Sequence, residues 1–197
     1  MGNNYMDTTL FDKAAHFAIN AHANSERRGK NSPYALHVME AAEIVASITN
    51  DQELLAAALL HDAVEDTDVT EEEIRKEFGD RIADLVAGES DLVVEGKDVY
   101  ESWKIRKQYA IDRLKQQSRD GKIVAMGDKL SNMRAIARDF NAQGDELWKI
   151  FHAPDPRLHQ WHYEGMLDAL SDLSDTEAYK EFKHLVEDTF SRAFKNL

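Results

Sequence analysis

The sequence predicts an all-α protein that forms a helical bundle of about eight to ten helices. Apolar residues recur at helical spacing along the whole chain, beginning with the stripe Leu10, Ala14, Phe17, Ala18 and Ala21. The chain has only three prolines and nine glycines among 197 residues, too few for a β-sandwich that depends on tight turns. No stretch has the alternation of apolar and polar residues that is typical of a half-buried strand.

Capping signals support this prediction at three helix starts. Asn50 with Glu53 and Thr70 with Glu73 have the spacing of capping boxes, in which each side chain accepts a hydrogen bond from the other residue's backbone N–H. Asp155-Pro156 has the pattern of an N-cap followed by proline at the first helical position.

The chain is expected to form one domain over residues 1–197, because neither a composition shift nor an internal repeat marks a second one. The motifs described below occupy about residues 10–140, and further helices are predicted over residues 145–197.

Composition excludes several classes of partner. The formal net charge of −13 argues against duplex nucleic acid and anionic membranes, since both require a positive surface. There is no cysteine, so neither a disulfide framework nor a thiolate metal site is possible. Because the sequence shows neither a signal peptide nor a transmembrane stretch, we expect a cytoplasmic protein.

The stretch from His61 to Asp66 carries the strongest chemical signal. Seven apolar residues, 54–60, lead directly into His61 and Asp62, and Glu65 and Asp66 follow one helical turn later. Desolvating such groups at the end of a buried helix costs several kcal/mol each unless a partner compensates. A divalent metal ion is the simplest partner for them.

Two distant residues complete the predicted metal site. His37 lies in an apolar stretch of the predicted second helix, where an unused ring nitrogen is expensive. Asp128 follows an apolar run and Gly127, so it is expected at the end of its helix, as Asp62 is. Two imidazoles and two carboxylates suit a first-row divalent ion, and such an ion lowers the pKa of bound water. Glu65 and Asp66, one turn beyond the ligands, are then placed to accept the water's proton.

A basic loop offers charge for an anionic substrate. Arg27, Arg28 and Lys30 form a local cluster in an otherwise acidic chain, where a polyphosphate would find charge-assisted donors. The alternative is an ordinary solvated loop. Near the C-terminus, His152, His159 and His162 are interpreted as core and surface residues in preference to a second metal site.

The order of these residues resembles the H…HD…D pattern of the HD-domain metal-dependent phosphohydrolases. The matching residues are His37, His61-Asp62 and Asp128. The finer pattern is similar to the hydrolase domain of the RelA/SpoT family in its stand-alone form, the small alarmone hydrolases. The similar stretches are Arg27-Arg28-Gly29 with Pro33-Tyr34, Ala58 to Thr67, Phe78-Gly79, and Asp128-Lys129-Leu130-Ser131-Asn132.

This resemblance implies a helical HD-domain fold and a specific reaction. One manganese ion per chain would be held by His37, His61, Asp62 and Asp128, and Glu65 and Asp66 would activate the attacking water. The substrate would be guanosine tetra- or pentaphosphate, which would lose its 3′-pyrophosphate to give GDP or GTP. A further set of residues would hold the base, the phosphates and the ribose, namely Arg27, Arg28, Lys30 and Asn132.

Two departures from the family pattern bear on the substrate. Arg28 stands where lysine is usual, and Ala135 stands where threonine is frequent near the base. An adenosine alarmone, or a nucleotide such as NADPH, therefore stays an alternative substrate. Two further alternatives are a deoxynucleotide monophosphatase and a catalytically silent nucleotide-binding or regulatory protein.

Overall fold

The computed structural model describes residues 7–27, 29–88, 96 and 98–193. These residues form helices without any extended strand; the single β-bridge among them joins Glu26 to Pro33. The all-α prediction is therefore confirmed. The α-helices are α1 (Thr9–Ala21), α2 (Ala35–Ala46), α3 (Gln52–Leu60), α4 (Ala63–Asp66), α5 (Glu71–Phe78), α6 (Asp80–Ala87), α7 (Val99–Gln116), α8 (Arg119–Gln143), α9 (Pro156–Ala169) and α10 (Glu177–Ala193). Short 3₁₀ segments span Gly144–Ile150 and Ser171–Leu173.

The capping signals are confirmed at two of the three predicted helix starts. Thr70 and Glu73 form a reciprocal capping box at α5, and Asp155 caps α9 with Pro156 in its first turn. The prediction at α3 is wrong by one residue, because Asp51 and not Asn50 is the N-cap. The Asp51 carboxylate accepts a hydrogen bond from the Glu53 N–H at 3.0 Å.

Helix α3 forms the centre of the N-terminal part of the bundle. All its residues from Leu54 to Leu60 are buried, and it contacts α1, α2, α6 and α8. A helix that is apolar on all sides is stable only when other helices surround it. This surrounded helix delivers its last turn, and the His61-Asp62 pair that follows, to the interior of the protein.

The paired helices α2 and α8 form the second wall of the same interior. At Gly127 the two backbones come so close that an added Cβ atom would lie 2.6 Å from the carbonyl oxygen of Ala41. Asp128 follows on α8, and His37 lies one turn before Ala41 on α2.

Helix α8 also contacts the C-terminal part of the bundle. Helix α10 contacts α8 and α9, and α9 contacts α7. The apolar core is continuous from α1 to α10 in the described residues. No helix in that part of the chain is long and apolar enough to span a membrane.

Candidate metal centre

The four predicted metal ligands lie together inside the bundle. His37 comes from α2, His61 and Asp62 from the turn between α3 and α4, and Asp128 from the middle of α8. One ligand atom of each lies within 4.8 Å of the others. The expectation that Asp128 ends its helix is wrong, since α8 continues for fifteen further residues to Gln143. Its side chain nevertheless reaches the same point as those that follow α3.

Hydrogen bonds orient both imidazoles toward the centre of this cluster. The Nδ1 atom of His61 lies 2.8 Å from the carbonyl oxygen of Ala58. A carbonyl can only accept, so Nδ1 carries the proton and the Nε2 lone pair points inward. The Nδ1 atom of His37 lies 2.8 Å from the Ser131 hydroxyl. Both Nε2 atoms are buried and have no hydrogen-bond partner among the residues described.

The inward-pointing nitrogens face two carboxylates. Nε2 of His61 lies 2.9 Å from an Asp62 oxygen and 3.6 Å from an Asp128 oxygen. Nε2 of His37 lies 3.4 Å and 3.2 Å from the same two groups. Unpartnered imidazole lone pairs beside carboxylates match the donor set of a divalent first-row ion. The cluster can therefore bind a metal ion.

The two ionised aspartates of the cluster favour a positive charge between them and the imidazoles. Burial opposes ionisation of His61, but Asp62 and Asp128 outweigh it and raise the pKa of His61 well above its usual value. Burial also opposes ionisation of Asp62, yet His61 and His37 hold the Asp62 pKa below its usual range. The pKa of Asp128 is likewise lowered despite burial, by Lys129 and the two imidazoles. This positive charge can be a proton or a metal ion.

Tyr34 and Lys129, which had no role assigned from the sequence, contact the two aspartates. The Tyr34 hydroxyl donates a hydrogen bond to Asp62 at 2.7 Å, and the Tyr34 ring stacks on His22 with centroids 4.8 Å apart. Burial and the adjacent Asp62 raise the pKa of Tyr34, so it stays a donor. On the other side of the cluster, the Lys129 ammonium contacts Asp128. The Pro33-Tyr34 and Asp128-Lys129 motifs were the available sequence signals for these two contacts.

Glu65 and Asp66 line a polar cavity of about 170 Å³ beside the cluster. Both side chains are exposed, and a backbone hydrogen bond of 2.9 Å from Asp66 to Asp62 places Asp66 one turn beyond that ligand. The lining also includes Lys107, Arg113 and Lys129. The cavity thus joins two carboxylates to three cationic side chains next to the candidate metal centre. The sequence did not predict that cationic side chains of α7 and α8 line this cavity.

Three of the four predicted substrate-binding residues, Arg27, Lys30 and Asn132, line a second, adjoining cavity of about 280 Å³. Arg27 donates a hydrogen bond to Asn132 at 2.6 Å, and Lys30 forms an ion pair with Asp139. Arg28 lies outside the described residues. The second cavity is lined mainly by apolar side chains, which include Ala135, Ile136, Ile150, Phe151 and Tyr163. Tyr34, Asp66 and Asn132 line both cavities.

The C-terminal histidines do not form a second metal centre in the described part of the chain, where the cluster above is the one group of that kind. His159 and His162 are buried among aromatic rings, and His152 is exposed. Only His162 approaches the first cavity, as part of its lining.

The fold and the site define a helical protein with a buried centre of two histidines and two aspartates in the order H…HD…D. The model of the HD domain family matches residues 14–153. The chain therefore belongs to the HD domain family.

Several relatives carry the name guanosine-3′,5′-bis(diphosphate) 3′-pyrophosphohydrolase. The protein of that name from Aquifex aeolicus is 32% identical over 189 residues, which cover 94% of this chain and 26% of that protein. The relative named MESH1 from Danio rerio is 34% identical over 139 residues, 68% of this chain and 73% of that protein. The chain thus spans about a quarter of the Aquifex protein but corresponds to most of the zebrafish protein.

Solved structures share the fold. A metazoan ortholog of SpoT superposes with a TM-score of 0.71 at 24% identity and covers 96% of this chain and 98% of its own. A protein from Listeria monocytogenes EGD-e superposes with a TM-score of 0.68 at 27% identity, covering 84% of this chain and 99% of its own.

Proposed function

We propose that this chain is a metal-dependent 3′-pyrophosphohydrolase of guanosine 3′,5′-bis(diphosphate) and its pentaphosphate analogue, with GDP or GTP and pyrophosphate as products. One observation carries the proposal: the His-Asp cluster opens into a polar cavity whose lining combines carboxylates with cationic side chains. The names of the Aquifex and zebrafish relatives support the same reaction for this chain.

The proposed cofactor is one Mn²⁺ ion per chain, held by His37, His61, Asp62 and Asp128. The two unpartnered Nε2 atoms favour a first-row transition ion over Mg²⁺ or Ca²⁺, and the two carboxylates are oxygen donors of the kind that manganese binds. When bound, such an ion lowers the pKa of a water molecule and offsets phosphate charge.

Glu65 and Asp66 are the proposed proton acceptors. Both lie in the polar cavity, so a water molecule there can lose its proton to either carboxylate. The water oxygen forms a bond to the phosphorus attached to the ribose 3′-oxygen, and the bond between that phosphorus and the 3′-oxygen breaks. The 3′-oxygen takes up a proton, and pyrophosphate leaves.

The two cavities suggest how the substrate is divided between them. The cationic side chains of Lys107, Arg113 and Lys129 suit the 3′-diphosphate, because charge-assisted hydrogen bonds are the strong ones. The second cavity, with its aromatic and aliphatic side chains, suits a purine base. Asn132 lies at the junction of the two cavities and Arg27 is hydrogen-bonded to it, so this pair is proposed to face the ribose and the remaining phosphates. Lys30, through its ion pair with Asp139, lies beside the proposed base site.

The experiment is a substrate panel read by chromatography. Purified protein with Mn²⁺ is incubated with guanosine 3′,5′-bis(diphosphate) and with its adenosine counterpart. We expect pyrophosphate and GDP from the guanosine compound, and the ratio of the two rates measures the base preference of the protein. Failure to release pyrophosphate from either compound would contradict the proposal. Orthophosphate as the product would instead favour the monophosphatase alternative.

The expected partner is a small nucleotide, and nucleic acid and membranes are not expected as partners because of the net charge of −13. The cytoplasm is the compartment we propose, since a free nucleotide substrate is available there.

A further inference from the structure

A short hydrogen-bonded chain leads from the metal ligand His37 to the surface. The Ser131 hydroxyl lies 2.8 Å from Nδ1 of His37 and 2.7 Å from a carboxylate oxygen of Glu40. Ser131 is 1% exposed and His37 is 4% exposed, so bulk water does not compete for the bond between them, whereas Glu40 is half-buried. Glu40 has no part in the site described above, and Ser131 enters it only through the hydrogen bond to His37.

The chemistry of the two partners sets the direction of each bond. A carboxylate can only accept, so the Ser131 O–H points to Glu40. The serine oxygen is then left as an acceptor for His37, which must carry its proton on Nδ1. The Nε2 lone pair consequently faces the aspartates, which is the form of imidazole that binds a metal ion.

Ion pairs hold Glu40 in this orientation. Its second oxygen lies 3.3 Å from the Arg134 guanidinium. Arg134 is itself fixed by two hydrogen bonds of 2.7 Å and 2.8 Å to Glu181 on α10. Glu43, one turn further along α2, also lies 3.7 Å from Arg134, but the Ser131 hydroxyl donates to Glu40.

We propose that Glu40 and Ser131 are positioning residues that hold His37 in its metal-binding tautomer. This inference rests on the metal role proposed for His37 and is independent of the substrate. His61 provides an internal comparison, because a backbone carbonyl fixes its tautomer and no side-chain substitution removes it.

The first experiment measures Mn²⁺ affinity by titration in the Ser131→Ala, Glu40→Gln and Glu43→Gln variants. Loss of a hydrogen-bond partner behind a metal ligand lowers metal affinity by about 10- to 100-fold. We expect that range for Ser131→Ala. For Glu40→Gln we expect a smaller loss, because the glutamine Oε1 can still accept the hydrogen bond from Ser131, although its amide N–H can instead donate and reverse the chain in part of the molecules. Glu43→Gln is the matched control and should bind Mn²⁺ as the wild type does.

The second experiment determines the tautomer of His37 without metal. Long-range ¹H–¹⁵N correlation spectra of histidine-labelled protein distinguish Nδ1–H from Nε2–H, and a His37→Gln spectrum assigns the signal among the eight histidines. We expect Nδ1–H in the wild type and in Glu43→Gln, and a mixture of tautomers in Ser131→Ala and Glu40→Gln. His61 should keep its proton on Nδ1 throughout, whether or not Nε2 is also protonated, which also shows that the variants are folded.

The outcomes separate this inference from the proposed function. If Ser131→Ala and Glu40→Gln keep wild-type affinity and an Nδ1–H tautomer, the positioning role is wrong, whereas the metal site and the reaction stand. If the wild type binds no Mn²⁺ at His37, the metal role and this inference both fail. Loss of affinity together with a changed His37 tautomer supports the inference, whatever substrate the protein hydrolyses.

Discussion

Gly127 on α8 lies directly against the backbone carbonyl of Ala41 on α2, where a Cβ atom would approach the carbonyl oxygen to 2.6 Å. Backbone cannot rotate away as a side chain can, so any larger residue must separate the two helices. The helices supply His37 and Asp128, whose nearest ligand atoms are 3.2 Å apart. The geometry of the candidate metal centre therefore depends on a residue that contributes no ligand.

Gly127→Ala is expected to reduce both stability and Mn²⁺ affinity. Overpacking costs about 1–3 kcal/mol, and the better helix propensity of alanine returns about 1 kcal/mol of this. Denaturant unfolding and Mn²⁺ titration measure the two effects. Gly165→Ala is the matched control: its Cβ would meet the tip of the Ile111 side chain, which can move. Wild-type Mn²⁺ affinity in Gly127→Ala would show that the close approach does not set the ligand geometry.

Glu65→Gln is expected to lower kcat by about 10²- to 10⁴-fold, the usual contribution of a general base. Mn²⁺ binding should be unchanged, because Glu65 is not part of the ligand cluster. Single-turnover rates and Mn²⁺ titration separate these two quantities. Glu72→Gln, which neutralises an exposed carboxylate on α5, is the control. An undiminished kcat in Glu65→Gln would show that Glu65 is not the general base. Turnover by the unmodified protein would exclude the alternative of a catalytically silent nucleotide-binding protein.

Residues of the site that are close together in the sequence were predictable, whereas the positions of distant residues were not. The relation of His61 and Asp62 to Glu65 and Asp66 follows from helical periodicity alone, and the Asp62–Asp66 backbone hydrogen bond confirms that spacing. The position of Asp128 within α8 was not predictable in this way. The glycine that precedes Asp128, Gly127, is a residue type that is typical of helix ends. In the structure it is instead required because the backbone of α2, distant in the sequence, packs against it.

The N-cap of α3 and the position of Lys107 show two other limits of prediction from the sequence. Asn50 and Asp51 are both good N-caps, and periodicity does not distinguish adjacent positions, so the prediction was wrong by one residue. Lys107 lies in a strongly charged helix where most side chains are solvated. Its place at the first cavity depends on how α7 packs on α9, which only the three-dimensional structure reveals.

Lys107→Gln is expected to raise KM for guanosine 3′,5′-bis(diphosphate) by about tenfold, the equivalent of one hydrogen bond to a charged group. We expect a smaller effect on kcat, because Lys107 is proposed to bind the diphosphate and not to transfer protons. Steady-state kinetics at two salt concentrations measure both constants. Lys104→Gln is a matched control on the same helix, since Lys104 lies over the Trp161 ring and not in the cavity. Equal KM values in the two variants would contradict the proposed diphosphate site.

The stability of the protein is expected to fall below about pH 6.5 in a way that depends on His162. Burial lowers the pKa of His162 well below its usual value. Lys107 from α7, Lys129 from α8 and His159 from α9 act in the same direction, and Asp128 opposes them. Below its ordinary pKa the histidine therefore binds a proton in the unfolded chain but stays neutral in the folded protein. Unfolding is then favoured as pH decreases, by up to about 1.4 kcal/mol per pH unit for this one group.

A comparison with His162→Gln isolates this contribution from that of the other titrating groups. Free energies of unfolding are measured by denaturant titration between pH 7.5 and pH 5, without metal, for both proteins. As the pH falls, the free energy of unfolding of the wild type should decrease steadily relative to that of the variant. The reason is that the wild type gains a proton at this position on unfolding, whereas the variant does not. A difference that stays constant over the whole pH range would mean that His162 is protonated equally in the folded and unfolded states, contrary to its burial among Trp103 and Tyr163.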